Sequence, residues 1–407
     1  MKINMFSKAP VLRCASMALF GLLAASLPAF SQTWTQTSAP VGNTWSSIAS
    51  SADGTKLVAA SLLDSSFHAS YIYTSTNSGQ TWAPTSTPKK QWRYVASSAD
   101  GRILAATGNN DPIYTSTNSG LTWRTNNFAT RGPICCSADG VKMAMAPANY
   151  QISTSTDSGV TWTASGPVTN WNYIACSADG TRLVACGGLG SVNNLGFVFT
   201  SKNSGSTWTH SLALPRNAGA PACVASSADG TKLVVVTSGS LNQIYTSTNS
   251  GATWTSNSMA FINGLYTVAS SADGTRLVVA GDSSGGSPIY TSGNSGLTWT
   301  LNNAPLLTWN GVACSADGNK LFAAEWYGHG IYTSQTTPAP TLNMAPAGAE
   351  AVFSWPTSAV GFGLYQSTDL TTKNWLKVTN VPTVTNLLNQ VTVPFANSHD
   401  FYRLQNQ

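Results

Sequence analysis

The tetrapeptide Ser-Ala-Asp-Gly recurs along this chain, each time followed by an apolar run. Its seven aspartates are Asp53, Asp100, Asp139, Asp179, Asp229, Asp273 and Asp317. Asp-Gly supplies the positive φ that a tight hairpin needs, so each copy predicts a turn between two strands. A repeat of roughly 40 to 50 residues, built only of strands and turns, is typical of a β-propeller with one blade per repeat.

A second motif lies between consecutive copies of the first. It reads Ser-Thr-Asn-Ser-Gly-Gln-Thr-Trp from Ser75 to Trp82, and further copies begin at Ser116, Ser155, Ser201, Ser247 and Ser292. The motif resembles the Asp-box, or bacterial neuraminidase repeat, of β-propellers, whose pattern is Ser-x-Asp-x-Gly-x-Thr-Trp. Most copies have Asn at the Asp position, and only Asp157 keeps the acid. Asn and Asp both bond their own backbone in turns, so the fold prediction stands.

The two ends of the repeat array complement each other. The seventh repeat reaches Ile331-Tyr332-Thr333-Ser334 and then lacks the second motif, whereas Ser31-Gln32-Thr33-Trp34 matches Gly79-Gln80-Thr81-Trp82. The N-terminal segment is therefore expected to supply the outer strand of the last blade, which removes a free sheet edge. The sequence predicts an all-β fold, a seven-bladed propeller of four-stranded blades closed by the N-terminal strand.

The first residues have the features of a secretory signal peptide. Residues 1–31 combine Lys2, Lys8 and Arg13 with an apolar run and a small-x-small cleavage site ending at Ser31. Without this segment, 17 basic residues face 15 acidic ones, from 20 Lys and Arg in the whole chain. We therefore expect a secreted, periplasmic or cell-surface protein with no nucleic-acid partner. No later apolar stretch is long enough to predict a membrane span.

The composition changes after the last repeat. We assign residues 32–335 to the propeller, 336–348 to a Pro/Ala-rich linker and 349–407 to a small C-terminal β domain. Short alternating runs such as Ala351-Val352-Phe353-Ser354-Trp355 resemble the β-sandwich modules that end many secreted proteins. Such a domain could serve as a spacer, a carbohydrate-binding module or a surface-sorting module.

The cysteines and histidines predict no cofactor and no metal site. Cys136, Cys176 and Cys314 stand where other repeats have Ser, which indicates small buried side chains. There is no Cys-x-x-Cys, and the four histidines are scattered.

One column of the repeat points to a binding site. The residues eight positions before each turn Asp are Trp45, Trp92, Arg131, Trp171, Pro221, Leu265 and Trp309. They open the innermost strand on the face that carries the variable loops, where binding usually occurs. Trp rings around a channel mouth could stack on sugars or grip a peptide. The alternative is that each Trp packs between blades, as recurring residues usually do. The predicted ligand-binding residues are Trp45, Trp92, Arg131, Trp171, Trp309, Trp326 and Tyr327.

An enzyme is the alternative to a binding module. A glycosidase needs two carboxylates flanking the scissile bond, and Glu325 with Asp111, Asp64 or Asp282 could provide them. The Asp-box resemblance implies sialidase activity only with an arginine cluster that begins in an Arg-Ile-Pro motif, which this chain lacks. Xyloglucanase-type propellers act as tandem pairs, whereas photosystem II assembly-factor-type propellers are single rings that bind protein through a basic patch. This chain has one ring and no concentrated arginine patch.

The sequence thus predicts a secreted propeller that binds a glycan, or else a protein segment, at the loop-bearing mouth of its central channel. A glycan-cleaving enzyme that uses Glu325 and a loop Asp is the second hypothesis.

Overall fold

The computed structural model describes residues 33–407 except 110, 130, 189–195, 216–217, 239–242, 259–263, 282–284, 336–341, 348–349, 357–361, 368–374, 386–387, 395–400 and 407. The proposed signal peptide and Asp282 therefore lie outside the described residues. The described chain consists of strands and turns, and no helix in it is long and apolar enough to cross a membrane.

The chain divides into two compact units, the first ending at Gln335 and the second beginning at Thr336. The first unit is a propeller of four-stranded antiparallel blades. Blades 1 to 3 contain, in order, β2 (Thr44–Ser50), β3 (Leu57–Leu63), β4 (Ile72–Ser75) and β5 (Ala83–Pro84); β6 (Trp92–Ser97), β7 (Leu104–Gly108), β8 (Pro112–Ser116) and β9 (Arg124–Ala129); and β10 (Ile134–Cys136), β11 (Met143–Met145), β12 (Ala148–Ser155) and the first half of β13 (Thr163–Cys176).

The long β13 continues into blade 4 and joins the two blades into one sheet. The remaining strands of blade 4 are β14 (Leu183–Gly188), β15 (Gly196–Ser201) and β16 (Thr209–Ala213). Blades 5 to 7 contain β17 (Ala220–Ser226), β18 (Leu233–Ser238), β19 (Gln243–Ser247) and β20 (Thr255–Ser258); β21 (Leu265–Ser270), β22 (Leu277–Gly281), β23 (Ile289–Ser292) and β24 (Thr300–Leu301); and β25 (Trp309–Cys314), β26 (Lys320–Glu325) and β27 (Ile331–Gln335).

The N-terminal strand closes the last blade, as predicted. β1 (Trp34–Gln36) pairs antiparallel with β27, with Trp34 opposite Ser334. The ring is also closed through the Ser-Ala-Asp-Gly turns, because the Ala N–H of each turn donates to the Ala carbonyl of the next at 2.7 to 2.8 Å. These alanines are Ala52, Ala99, Ala138, Ala178, Ala228, Ala272 and Ala316, and Ala316 donates back to Ala52.

Both recurring turns are held by short side chains. In the first turn, Asp53 Oδ1 accepts from the Ser51 hydroxyl at 2.6 Å and from the Thr55 N–H at 2.9 Å, while Gly54 takes a φ of 67°. In the second, Asn77 Oδ1 accepts from the Thr81 N–H at 2.8 Å, and its amide donates to the Thr81 hydroxyl at 2.9 Å. Asn therefore supplies the acceptor that an Asp would supply there.

An aromatic group fills the space between blades. In blade 1, Trp45 packs against Tyr73 and Trp82, with ring centroids 5.3 and 6.3 Å apart. Blade 7 repeats the arrangement with Trp309, Tyr332 and Trp34. Trp34 comes from the N-terminal strand and occupies the place that the second-motif Trp takes in other blades. It therefore completes the core of the last blade.

The second unit has a core of its own. One sheet has the order β28 (Asn343–Ala347), β29 (Glu350–Pro356), β33 (Leu388–Pro394), β32 (Thr383–Thr385), and the other has the order β31 (Leu376–Lys377), β30 (Phe362–Ser367), β34 (Phe401–Asn406). Phe353, Trp355 and Val391 of the first sheet pack with Leu364 of the second. Two sheets around one apolar core make this unit sandwich-like.

Candidate functional site at the centre of the ring

A cavity of about 60 Å³ opens where the innermost strands begin. Six of its lining residues stand at the same place in six blades, directly after the Trp-rich column. They are Ser46, Arg93, Asn172, Ala222, Tyr266 and Asn310, and Trp326 from the last variable loop joins them. Enclosed pockets for small molecules usually measure about 300 to 1,000 Å³. This cavity is too small to enclose a sugar, so a ligand would lie across its mouth.

A β-bulge places these six side chains. In blade 1, Trp45 pairs with Ser61 and Ser47 with Ala60, which leaves Ser46 without an opposite residue. The same shift occurs at Arg93, Asn172, Ala222, Tyr266 and Asn310. A bulge leaves one residue out of the ladder and redirects its side chain. The residue after the column therefore lines the cavity.

The Trp column does not form the predicted ligand-stacking ring. Trp45, Trp92 and Trp309 are 0% exposed and Trp171 is 2% exposed. Each indole belongs to a cluster shared by neighbouring blades, such as Trp92 with Val58 and Ile72 of blade 1. The alternative, packing between blades, describes these four residues, since a ligand could reach them only if the blades separated. Of the predicted column residues, Arg131 is the exposed one.

Arginine and tyrosine side chains give the cavity its electrostatic character. Burial lowers the pKa of Arg93, and the Arg131 charge nearby lowers it further. Burial raises the pKa of Tyr94, whose ring packs edge-on against Tyr173 with centroids 6.3 Å apart. No carboxylate is among the described residues that line the cavity. The mouth therefore offers hydrogen-bond donors and positive charge to a ligand rich in acceptors.

Hydrogen bonds between blades fix the polar part of the rim. The Asn310 amide donates to the Ser46 carbonyl at 2.9 Å, and the Ser46 hydroxyl donates to the Trp92 carbonyl at 2.8 Å. The Asn172 amide similarly donates to the Pro221 carbonyl at 2.7 Å. Each bond runs from a bulge residue to the column residue or the bulge residue of the next blade. The rim is thus rigid before any ligand arrives.

The loop of residues 326–330, here called the blade 7 loop, carries two aromatic side chains, of which Trp326 lines the cavity. Tyr327 is 66% exposed. The Trp326 side chain is half-buried against the cavity, and the Trp326 backbone N–H donates to the Thr308 carbonyl at 2.9 Å. Glu325 is fully buried beneath the loop. Its Oε2 accepts from the His329 N–H at 2.7 Å and lies 3.2 Å from the His329 Nδ1. The carboxylate therefore fastens the loop from below.

A close backbone approach fixes the other side of this loop. The Gly42 N–H donates to the Gly328 carbonyl at 2.7 Å. Gly328 has a φ of 94°, and a Cβ placed on it would lie 2.9 Å from the Gly42 Cα. A Cβ placed on Gly42 would lie 2.6 Å from the Cβ of Ser65, in the loop between β3 and β4 of blade 1. Tyr327 and Phe67, which is 82% exposed, thus lie on loops joined through Gly42.

The three predicted catalytic acids among the described residues each have partners of their own. Asp64 accepts from the Ser66 and His68 N–H groups and lies 3.7 Å from Lys89. The backbone hydrogen bond from His68 lowers its pKa, which disfavours the protonated form that a general acid needs. Asp111 is engaged by Lys90, whose pKa rises because of that bond. Glu325 has no solvent access, and none of these three acids lines the cavity.

Comparison with known proteins shows the fold. No protein-family model matches the chain, and no curated protein sequence matches it. Among solved structures, it is similar to YCF48 bound to D1 peptide, at 15% identity and a TM-score of 0.56 over 77% of this chain and 99% of that one. It is also similar to hydrazine synthase of Kuenenia stuttgartiensis, at 15% identity and a TM-score of 0.58 over 74% and 97% of the two chains.

A third similar structure is the GH74 xyloglucanase from Xanthomonas campestris, at 14% identity and a TM-score of 0.56. The match covers 80% of this chain and 60% of the xyloglucanase. Likeness at such identities is a likeness of fold, because one propeller scaffold carries many unrelated activities.

The predicted column lies at the end of the innermost strands where this cavity opens, but the residues that line the cavity come one position later. The sequence predicted a binding role for Trp326, Tyr327 and Arg131, which are accessible or half-accessible here. It did not identify the bulge residues as a set, because simple strand alternation gives no sign of the extra residue. The polar identities at that position in four blades, Ser46, Arg93, Asn172 and Asn310, were the available signal, since an inter-blade position would be apolar.

Proposed function

We propose that this propeller is a secreted or cell-surface binding module that recognises a glycan across the mouth of its central channel. The observation that carries the proposal is the blade 7 loop, in which Trp326 lines a cavity that presents hydrogen-bond donors and the following residue, Tyr327, is exposed. Trp and Tyr combine a flat apolar face with one polar group. That combination suits a sugar ring, which has an apolar face and hydroxyl edges.

Rigidity of the site supports a binding role. The blade 7 loop is held by Glu325 from below and by Gly42 from the side, and the rim is held by the bonds of Ser46, Asn172 and Asn310. A binding surface that is ordered beforehand loses less conformational entropy when the ligand binds.

The test is retention of the mature chain on immobilised neutral and acidic polysaccharides and on a peptide array. We expect retention on at least one polysaccharide, with affinity reduced roughly tenfold or more in Trp326→Ala and Tyr327→Ala, as for anchor residues of interfaces. Leu121→Ala is the control, since Leu121 is 75% exposed in a turn on the opposite face. Retention on peptides alone would indicate a protein ligand, and unchanged affinity in both variants would contradict the proposed site.

Glycan cleavage is the second hypothesis, and Glu325 distinguishes it from binding. Gln at position 325 can still accept from the His329 N–H, so Glu325→Gln should retain the loop and the ligand. If the protein releases sugars from a bound polysaccharide and Glu325→Gln abolishes that release, the protein is an enzyme. Unaltered binding without release in either protein supports a binding module.

A further inference from the structure

Two cysteines meet at the junction of blades 3 and 4. Cys135 lies in β10, the innermost strand of blade 3, and Cys176 ends β13, the innermost strand of blade 4. Both pack against the same apolar cluster, which includes Trp171, Ile174 and Phe197. Both are half-buried and neither is bonded to another cysteine in this structure.

Their side chains interact across the junction. The Cys135 side chain, together with burial, raises the pKa of Cys176. The Cys176 Sγ also donates to the carbonyl oxygen of Cys136 at 3.1 Å. The side chain of Cys176 is thus directed at the backbone segment that carries Cys135.

The repeat shows that this pairing is particular to one junction. Cys135 stands where the other repeats have Ala49, Ala96, Ala175, Ala225, Ala269 and Ala313. Cys176 stands at the next position, where the other repeats have Ser50, Ser97, Cys136, Ser226, Ser270 and Cys314. No other pair of neighbouring blades combines a Cys at the Ala position with a Cys at the following position of the next blade.

Blade 3 has the shortest inner strands of the ring. Its two inner strands, β10 and β11, have 3 residues each, whereas β2 and β3 of blade 1 have 7 each. It also has Arg131 at the column position, where blades 1, 2, 4 and 7 bury a Trp. Short pairing and a missing indole leave blade 3 with less packing to hold it in the ring.

We propose that Cys135 and Cys176 form a disulfide that ties blade 3 to blade 4 when the chain folds in a thiol-oxidising compartment. The oxidant is a protein or small-molecule disulfide. One cysteine thiolate attacks it, forming a mixed disulfide and releasing one oxidant thiolate. The second cysteine thiolate then attacks the sulfur of the first cysteine and releases the other oxidant thiolate. One Cys–Cys bond forms, one oxidant disulfide becomes two thiols, and the two cysteine protons pass to the released thiolates.

Timing follows from the environment of the thiols. Burial and the contact with Cys135 raise the pKa of Cys176, so little thiolate is present once the blades are packed. We therefore expect the bond to form more readily while blade 3 is docking than after the blades have packed.

The experiment is to refold the mature chain from Gln32, which retains six cysteines, in a glutathione redox buffer. The protein is then denatured without reductant, alkylated and digested for peptide mass mapping. We expect four alkylated cysteines and one cross-linked peptide joining Cys135 to Cys176. We also expect reductant to lower the thermal midpoint of the wild type. Six alkylated cysteines, or a link between other residues, would overturn the proposal.

The repeat supplies the variants. Cys135→Ala and Cys176→Ser introduce residues that other blades carry at the same positions, so they should fold, and each should remove the cross-link and the effect of reductant on the thermal midpoint. Cys136→Ser is the matched control, because it alters the adjacent cysteine and should keep both. A cross-link that survives Cys135→Ala and disappears in Cys136→Ser would show that Cys136 forms the bond, and would overturn the proposal.

Discussion

The acid of the second motif shows what one side chain contributes to a turn. Asp157 accepts from the Thr161 hydroxyl and N–H, and these bonds lower its pKa to about 2. Asn77, at the same place in blade 1, accepts from the Thr81 N–H and donates to the Thr81 hydroxyl. The turn needs an acceptor at this position for the Thr N–H. The Thr hydroxyl donates to an Asp carboxylate but accepts from an Asn amide.

Asp157→Asn is therefore expected to be almost neutral. Because five blades already use Asn here, the free energy of unfolding at pH 7 should change by less than about 0.5 kcal/mol. Urea unfolding measures it, with Asp157→Ala as the comparison, which should cost about 1 kcal/mol or more through its unpaired turn groups. Equal losses in the two variants would show that the charge itself matters.

The aspartates of the first motif make the propeller acid-sensitive. Hydrogen bonds from the Ser hydroxyl, and then from the Thr N–H, lower the pKa of Asp53, Asp179 and Asp229 from 3.8 to about 2. A carboxylate whose pKa is lower in the folded state stabilises the fold above its unfolded pKa and loses that contribution as pH falls through its folded pKa. The stability loss should thus fall between about pH 4 and pH 2.

Urea midpoints at pH 4, 3 and 2 test this. We expect the wild-type midpoint to fall over that interval, and to fall less steeply in Asp53→Asn, which has one fewer carboxylate to protonate. A wild-type midpoint that is constant from pH 4 to pH 2 would contradict the expectation.

At the scale of strands and loops, the sequence predicted what repeated local chemistry determines. Asp-Gly turns and the second motif gave the strand boundaries, and the match of Trp34 to Trp82 gave the closing strand. It could not predict the bulge after the Trp column, because a bulge depends on pairing with the neighbouring strand. Nor could it predict the conformation of the blade 7 loop, because that conformation depends on a contact between Gly328 and Gly42, which is distant in sequence.

The Trp column is expected to control stability. Trp92→Ala removes an indole that is 0% exposed between two blades, so it should lower the free energy of unfolding by about 3 to 5 kcal/mol. Tyr327→Ala, at a site 66% exposed, should change it by less than about 0.5 kcal/mol. Denaturant unfolding of both variants measures the difference, and a mild effect of Trp92→Ala would restore the column as a candidate ligand surface.

The whole molecule depends on a strand that is far from its blade in sequence. Trp34 fills the core of blade 7. Its strand β1 lies at the other end of the propeller sequence from β27 and pairs with it only when the ring closes. The corresponding Trp299 of blade 6 instead follows its own blade directly. Losing either indole removes packing, but only at blade 7 can the outer strand leave while the rest of the blade remains.

Trp34→Ala and Trp299→Ala separate these effects. Both should be destabilised by about 2 to 5 kcal/mol. Trp34→Ala should in addition free β1, expose the β27 edge and promote self-association. Size-exclusion chromatography with light scattering, together with proteolysis of the N-terminus, detects this, and equal behaviour of the two variants would show that β1 stays bound without its Trp.

The pairing of β1 with β27 also brings the beginning and the end of the propeller chain into adjacent strands. Since every junction between blades repeats the same alanine hydrogen bond, the ring has no structurally required starting point. Residues near Thr33 and Gln335 could be connected by a short linker and new termini opened between two other blades, except between blades 3 and 4, which share β13. Each blade would still meet the same neighbours. The order of the blades along the gene is thus one of several orders that encode the same circle.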